Sequence, residues 1–215
     1  MATQGSWPLI ANGSKLSMRL KIVQAGESVL RGKARELSRE ELRSEEIRQL
    51  IEWMRETMRD APGVGLAAPQ VGLPLQLAVI EDAADLQRAI TPERLAERGR
   101  RPVPFHVIVN PSITLDGDTA EFFEGCLSVP GLTAIVPRAL HTRVHCLDHE
   151  GNPVTIEADG WYSRILQHEI DHLCGVLYLD RMLSRSMMTV DHLTRHWNEL
   201  PIAEVKRRLG IGGTP

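Results

Sequence analysis

Gln167-His168-Glu169-Ile170-Asp171-His172-Leu173 places two histidines four residues apart, with a glutamate directly after the first. On an α-helix that spacing stacks both imidazoles on one face, where they can grip a single divalent ion. The adjacent carboxylate is then positioned to handle the protons of a water on that ion. The run asks for a helix, and one over about Gly160 to Leu173 is predicted to carry it.

Outward from this helix the pattern changes. Phe105–Asn110, Ala120–Phe123, Val144–Leu147 and Val154–Ala158 read as strands, as does Leu75–Ile80. Ser44 to Arg59 sets Ile47, Leu50, Ile51, Met54 and Met58 at amphipathic-helix spacing, with Ser44 as N-cap and Pro62 beyond the end. Thr91-Pro92-Glu93 opens a short charged helix within an insertion spanning 81–104. Strands that precede a core helix, without repeated βαβ units, predict an α+β fold. Its mainly antiparallel β-sheets would pack around the central helix that carries the H-E-x-x-H motif. Residues 1–20 read as a flexible N-terminal arm and 21–210 as one catalytic domain, with Arg181–Leu209 forming a strand or turn and then a helix.

Catalytic metal sites usually take three protein ligands and keep one position for water or substrate. One class of H-E-x-x-H proteases continues H-x-x-G-x-x-H. Here Gly175 matches that glycine, but Tyr178 stands where the last histidine should be. Cys126 is the better candidate. It lies in Glu124-Gly125-Cys126-Leu127-Ser128, after an apparent strand and ahead of an expected Val129-Pro130-Gly131 turn, and on a metal it would be a thiolate.

Three ordered motifs now stand in the chain: Gly63-Val64-Gly65-Leu66-Ala67-Ala68-Pro69-Gln70, Glu124-Gly125-Cys126-Leu127-Ser128 and Gln167-His168-Glu169-Ile170-Asp171-His172. With them the sequence resembles the peptide deformylases from about Ile22 to Met182. The resemblance implies a metal-dependent hydrolase that removes the N-terminal formyl group from formyl-methionine of nascent polypeptides. It implies Cys126, His168 and His172 as ligands of one divalent metal ion, Fe2+ in the first place, with Zn2+, Ni2+ or Co2+ as substitutes. Glu169 would be the general acid/base, and Gln70 with the backbone N–H of Leu127 would stabilise the oxyanion. Val64, Leu127 and Ile165 match family positions that line a methionine pocket, with Gly65 and Gly131 beside the extended peptide. The insertion at 81–104 and the segment Gly160–Leu166 resemble the subgroup that includes organellar enzymes. Competing readings are an H-E-x-x-H metalloprotease or other metal-dependent amidase, and a non-catalytic metal-binding protein.

Other features carry less chemistry. Gly63 and Gly65 suit a segment that passes close to another chain. His141, His145 and His149 recur every fourth residue, but they fall on a predicted strand, where residues four apart are about 13 Å apart, too far for one ion. Cys146 and Cys174 read as small buried or half-buried residues. Residues 61–80 hold no charge, yet Pro62, Pro69 and Pro74 argue against a membrane span. The net charge of −3, from 25 basic and 28 acidic residues, is no nucleic-acid footprint, although Arg94, Arg98, Arg100 and Arg101 cluster in sequence. Three cysteines make no disulfide framework, and Met1–Leu16 has no apolar h-region, so a bacterial cytoplasm is expected, with a processed organellar form second. Formylated nascent peptides are the expected partner, with the ribosome as a further one and either a monomer or a homodimer as the assembly.

Overall fold

The computed structural model describes residues 18–88 and 90–212, so most of the arm expected at 1–20 lies outside the described residues. Helix α1 (Arg39–Leu42) is closed by a capping box in which Ser38 and Glu41 bond to each other's backbone N–H. Helix α2 (Glu45–Asp60) begins where expected, the Ser44 hydroxyl accepting from the Ile47 N–H at 3.3 Å. Strands β1 (Gly65–Ala67) and β2 (Leu77–Asp82) follow, then the short helices α3 (Ala84–Gln87) and α4 (Pro92–Glu97) of the insertion. Next come β3 (Val103–Cys126), β4 (Val129–Leu147), β5 (Pro153–Asp159) and helix α5 (Gly160–Leu173). A short strand β6 (Met188–Thr189) pairs with β4, α6 (Val190–His192) runs into a π-helical turn at Leu193–Trp197, and α7 (Ile202–Leu209) follows.

The strands form one sheet in the order β1-β2-β3-β4-β5, with every neighbouring pair antiparallel. Strand periodicity explains the layers. Leu77 and Val79 of β2, with Val107 and Val109 of β3, join Leu50, Ile51, Met54 and Met58 of α2 in one cluster. Ala78, Ile80 and Ile108 point the other way and join Ile165, Leu166, Ile170 and Leu173 of α5. The sheet therefore lies between α2 and α5, and β2 is buried on both faces. That explains the uncharged run from Leu77 to Ile80 without a membrane, and among the described residues no helix is long and apolar enough to cross one.

Several expected boundaries change. Phe105–Asn110 and Ala120–Phe123 are parts of the single strand β3, because the polar stretch between them pairs with β4 as well. Its Asp116-Gly117-Asp118 portion sits at a register shift, with Gly117 at φ +74°, so a sequence that looks like a turn is absorbed as a bulge. The expected turn at Val129–Gly131 is also displaced. The chain reverses at Leu127–Ser128, and Val129 already pairs with Cys126. The strand expected at Leu75–Ile80 begins at Leu77, since Leu75 bridges to Arg35 instead.

His141 and His145 lie on the exposed side of β4, alternating with buried Thr142, Val144 and Cys146, while His149 is in the following turn. Cys174 departs from expectation. It is exposed, because α5 ends at Leu173 and Cys174 caps it beyond the packed face.

Candidate active site

Helix α5 is buried around nearly its whole circumference although many of its side chains are polar. Such a helix is tolerated when most of its polar groups are answered. Gln167 answers one residue of β4 as a backbone would, its Oε1 accepting from the Ala139 N–H at 3.1 Å and its Nε2 donating to the Ala139 carbonyl at 2.8 Å. The Ser163 hydroxyl donates to the same carbonyl at 2.9 Å. Pinned in this way, α5 presents His168 and His172 to the end of β3.

Cys126 stands at that end, just before the reversal into β4. Its Sγ lies 3.2 Å from His172 Nε2, and one ligand atom from each of Cys126, His168 and His172 lies within 4.8 Å of the others. It is the one such group of three found among the described residues. A soft thiolate and two imidazoles converging on one point fit a first-row divalent ion.

His168 is oriented from behind, whereas His172 Nδ1 is buried without a hydrogen-bond partner. Glu124 Oε2 lies 3.1 Å from His168 Nδ1, so that nitrogen carries the donated proton and Nε2 is left for a ligand. Glu124 is itself buried and accepts from Arg138 twice at 3.0 Å and from Arg164 at 2.6 Å. Burial pushes its carboxyl upward, but the His168 and Arg138 hydrogen bonds prevail and hold it below the usual carboxylate range. Arg138 continues to Asp171, which Arg181 also grips with two bonds of 2.6 Å. Burial would lower His168, yet its bonds to Cys126 and Glu124 raise it well above the ordinary imidazole value. Burial, then the charges of His168 and Arg138, lower His172, which favours the neutral form a metal ligand needs.

Glu169 is 4% exposed and packs against β1, and its Oε2 has no hydrogen-bond partner. Burial raises its carboxyl to about 7, with His168 pulling the other way. Gln70, 1% exposed on the 3-10 turn Ala68–Val71 after β1, accepts the Ala67 N–H at 2.9 Å. Its Nε2 points to Ser128 Oγ at 3.3 Å and Cys126 Sγ at 3.5 Å. The structure thus gathers Gln70, Cys126, His168, Glu169 and His172.

The expected pocket residues divide. Val64 and Ile165 pack in the α5-side cluster, whereas the Leu127 side chain joins the α2 side and covers Gly63, where a Cβ would lie 2.9 Å from Leu127 Cδ1. Gly65 is filled from within the protein, by Glu169, rather than kept open only for a peptide. Sequence reasoning assigned no role to Glu124, Arg138 or Arg164. The available signal was an arginine inside the otherwise apolar run Ala134–Ala139.

The family model for polypeptide deformylase matches residues 19–187. The chain belongs to the polypeptide deformylase family. Peptide deformylase 3 of Streptomyces avermitilis is 47% identical over 192 residues, covering 89% of this chain and 82% of that protein. The chloroplastic peptide deformylase 1A of Solanum lycopersicum is 42% identical over 209 residues, 97% of this chain and 74% of the relative. Among solved structures, the Met-Ala-Ser-bound class I type b peptide deformylase of Acinetobacter baumannii has a TM-score of 0.69 and 32% identity, over 78% of this chain and all of that one. As a deformylase, the chain is an enzyme that removes the N-terminal formyl group from nascent peptides, and its family works with a single catalytic metal. Deformylase relatives come from chloroplasts, mitochondria and bacteria alike.

Proposed function

We propose that Cys126, His168 and His172 hold one divalent ion, that Glu169 moves the protons of deformylation, and that Gln70 Nε2 and the Leu127 N–H stabilise the oxyanion. The observation that carries this reading is the meeting of Cys126 with His168 and His172 of α5, a helix whose intervening Glu169 is buried with a carboxyl raised to about 7. A divalent ion in that cluster supplies Lewis acidity, lowering the pKa of water from about 15.7 to about 7. A carboxylate of that basicity accepts a proton and returns it to a leaving amine near neutral pH, a service typically contributing about 10²–10⁴ in rate. Gln70 is pre-aimed, since its Oε1 is tied to Ala67 and only its NH₂ faces Cys126 and Ser128. A fixed donor at a developing oxyanion is worth about 2.7–4 kcal/mol.

The substrate is a formyl-methionyl peptide. Strand β1 is at an edge of the sheet, paired only with β2, so its other side is available for an extended chain to add backbone hydrogen bonds. Val64, Gly65 and Ile165 form the methionine subsite in this reading, and Leu127 contributes its backbone N–H while its side chain covers Gly63 on the α2 side. That the Acinetobacter relative holds Met-Ala-Ser supports it. Ferrous iron is the resident ion proposed here, with zinc, nickel or cobalt as substitutes. Residues 21–210 are proposed as a single catalytic domain, working in a bacterial cytoplasm on chains at the ribosome.

The test is formate release from formyl-Met-Ala-Ser by anaerobically purified, ferrous-loaded protein, beside an internal peptide-cleavage assay. Release that vanishes in Glu169→Ala with metal content retained supports the assignments. Loss of the metal in Glu169→Ala, or a full metal content in Cys126→Ala, overturns the corresponding role.

A further inference from the structure

Among the described residues, the Arg98 side chain has no counter-ion. Arg98 caps the C-terminus of α4, and its guanidinium lies over two rings, 5.1 Å from the centroid of Trp161 and 5.7 Å from that of Phe122. Arg100 shares the Trp161 ring at 5.2 Å and Arg164 the Phe122 ring at 5.3 Å. Those two are matched by acids, Arg100 by two bonds of 2.8 Å to Asp82 and Arg164 by its bond to Glu124. The Arg98 side chain makes no hydrogen bond or ion pair to any described residue. Burial, then repulsion from Arg100 and Arg94, disfavours its charge, with Glu97 acting in the opposite sense.

This uncompensated cation lines a cleft of about 40 Å³ between α4 and residues 193–202. By the same kind of measure about 10–15 Å³ holds one water, so the cleft admits a group of a few heavy atoms. Its other polar walls are Arg94, Glu97, Trp197 and Asn198. The Trp197 Nε1 is buried without a hydrogen-bond partner, while Arg94 donates to Asn198 Oδ1 at 3.0 Å and lies 3.7 Å from Glu199. A guanidinium and an indole N–H are donors only, and both lack an acceptor here. The complementary group is compact, anionic and rich in acceptor oxygens. Glu199 balances Arg94, and Glu97 makes no ion pair with Arg98.

We propose that this cleft binds a small oxyanion of the carboxylate or phosphate type, held by Arg98 and the indole N–H of Trp197. A chain of side chains links the cleft to the metal centre: Arg98 shares the Phe122 ring with Arg164, and Arg164 bonds the Glu124 that holds His168.

The test is calorimetric titration of zinc-loaded protein with sodium phosphate and, separately, sodium formate, each against sodium chloride at matched ionic strength. The expected result is one saturable ion per chain with a dissociation constant of about 1 mM or tighter. Saturation by formate alone identifies a carboxylate site, and by phosphate alone a phosphate-type site. Arg98→Met, which keeps an apolar stem over the rings, should weaken binding by about tenfold or more. Trp197→Phe, which removes the N–H and keeps an aromatic ring, should weaken it severalfold and serves as the deciding variant if Arg98→Met fails to fold. No saturable binding at tens of millimolar overturns the proposal. So does affinity unchanged in the deciding variant, since such binding would belong to the metal centre.

Discussion

The carboxylate of Glu169 fills the hollow left by the missing side chain of Gly65. An ideal Cβ at Gly65 would lie 2.5 Å from Glu169 Cδ and 2.7 Å from its Cγ, well inside van der Waals contact. Gly65 has no positive φ, so the requirement is for space and not for an unusual backbone. The contact joins the edge strand β1 to the helix of the metal-binding histidines, and it sets where Glu169 can stand.

Gly65→Ala is expected to push Glu169 aside and lower kcat about 100-fold, the scale of an ångström misplacement of a reacting group. Metal content should remain at wild-type level. Formate release measured beside elemental analysis checks this, and an unchanged kcat would show that Glu169 works from another position.

Glu124→Gln should weaken metal affinity by about 10–100-fold through loss of the carboxylate behind His168. Competition with a chelator measures it. Glu124→Ala goes further, leaving Arg138 and Arg164 buried without their shared acid, and should cost about 3–5 kcal/mol in urea unfolding. Equal metal affinity in the wild type and Glu124→Gln would reduce Glu124 to a structural ion-pair partner.

Gln167→Met keeps the volume of the side chain and removes both bonds to Ala139. A cost of about 1–3 kcal/mol in chemical denaturation is expected, with metal stoichiometry intact at saturating metal. A neutral result would mean that the Gln167 bonds are not needed to dock α5 on β4.

Burial, reinforced by the nearby Asp148, pushes the Cys146 thiol up to about 11. With its pKa raised, the group stays a neutral thiol at pH 8, and its reactive thiolate grows only as pH approaches that value. Iodoacetamide applied to metal-loaded protein at pH 8 should therefore label the exposed Cys174 and spare Cys146. Peptide mass spectrometry reads the outcome, and equal labelling rates would contradict the buried environment.

The two long helices were legible because their information is local. Ser44 as a cap, the apolar stripe of α2 and the four-residue step from His168 to His172 depend on neighbours within a few turns. Strand limits were less legible. The Ser112–Thr119 stretch carries turn-forming residues, and only pairing with β4, through bulges, makes it part of β3. Leu127 was grouped with Val64 and Ile165, but the reversal at Leu127–Ser128 sends its side chain to the other side of the sheet.

By itself the sequence determined the chemistry on offer: a thiol, two imidazoles at helical spacing, a carboxylate between them and an α+β pattern to carry them. Only the tertiary structure decided how those groups meet. Gln70 reaches Cys126 across 56 residues and Cys126 reaches His172 across 46, while Glu124, Arg138 and Arg164 become one buried network. Such contacts leave no periodic mark on the chain. They arise because β3 and β4 pair along their length through bulges and α5 docks on them with Ser163, Arg164 and Gln167 bonded to β4, and the pairing is set by burial across the whole sheet.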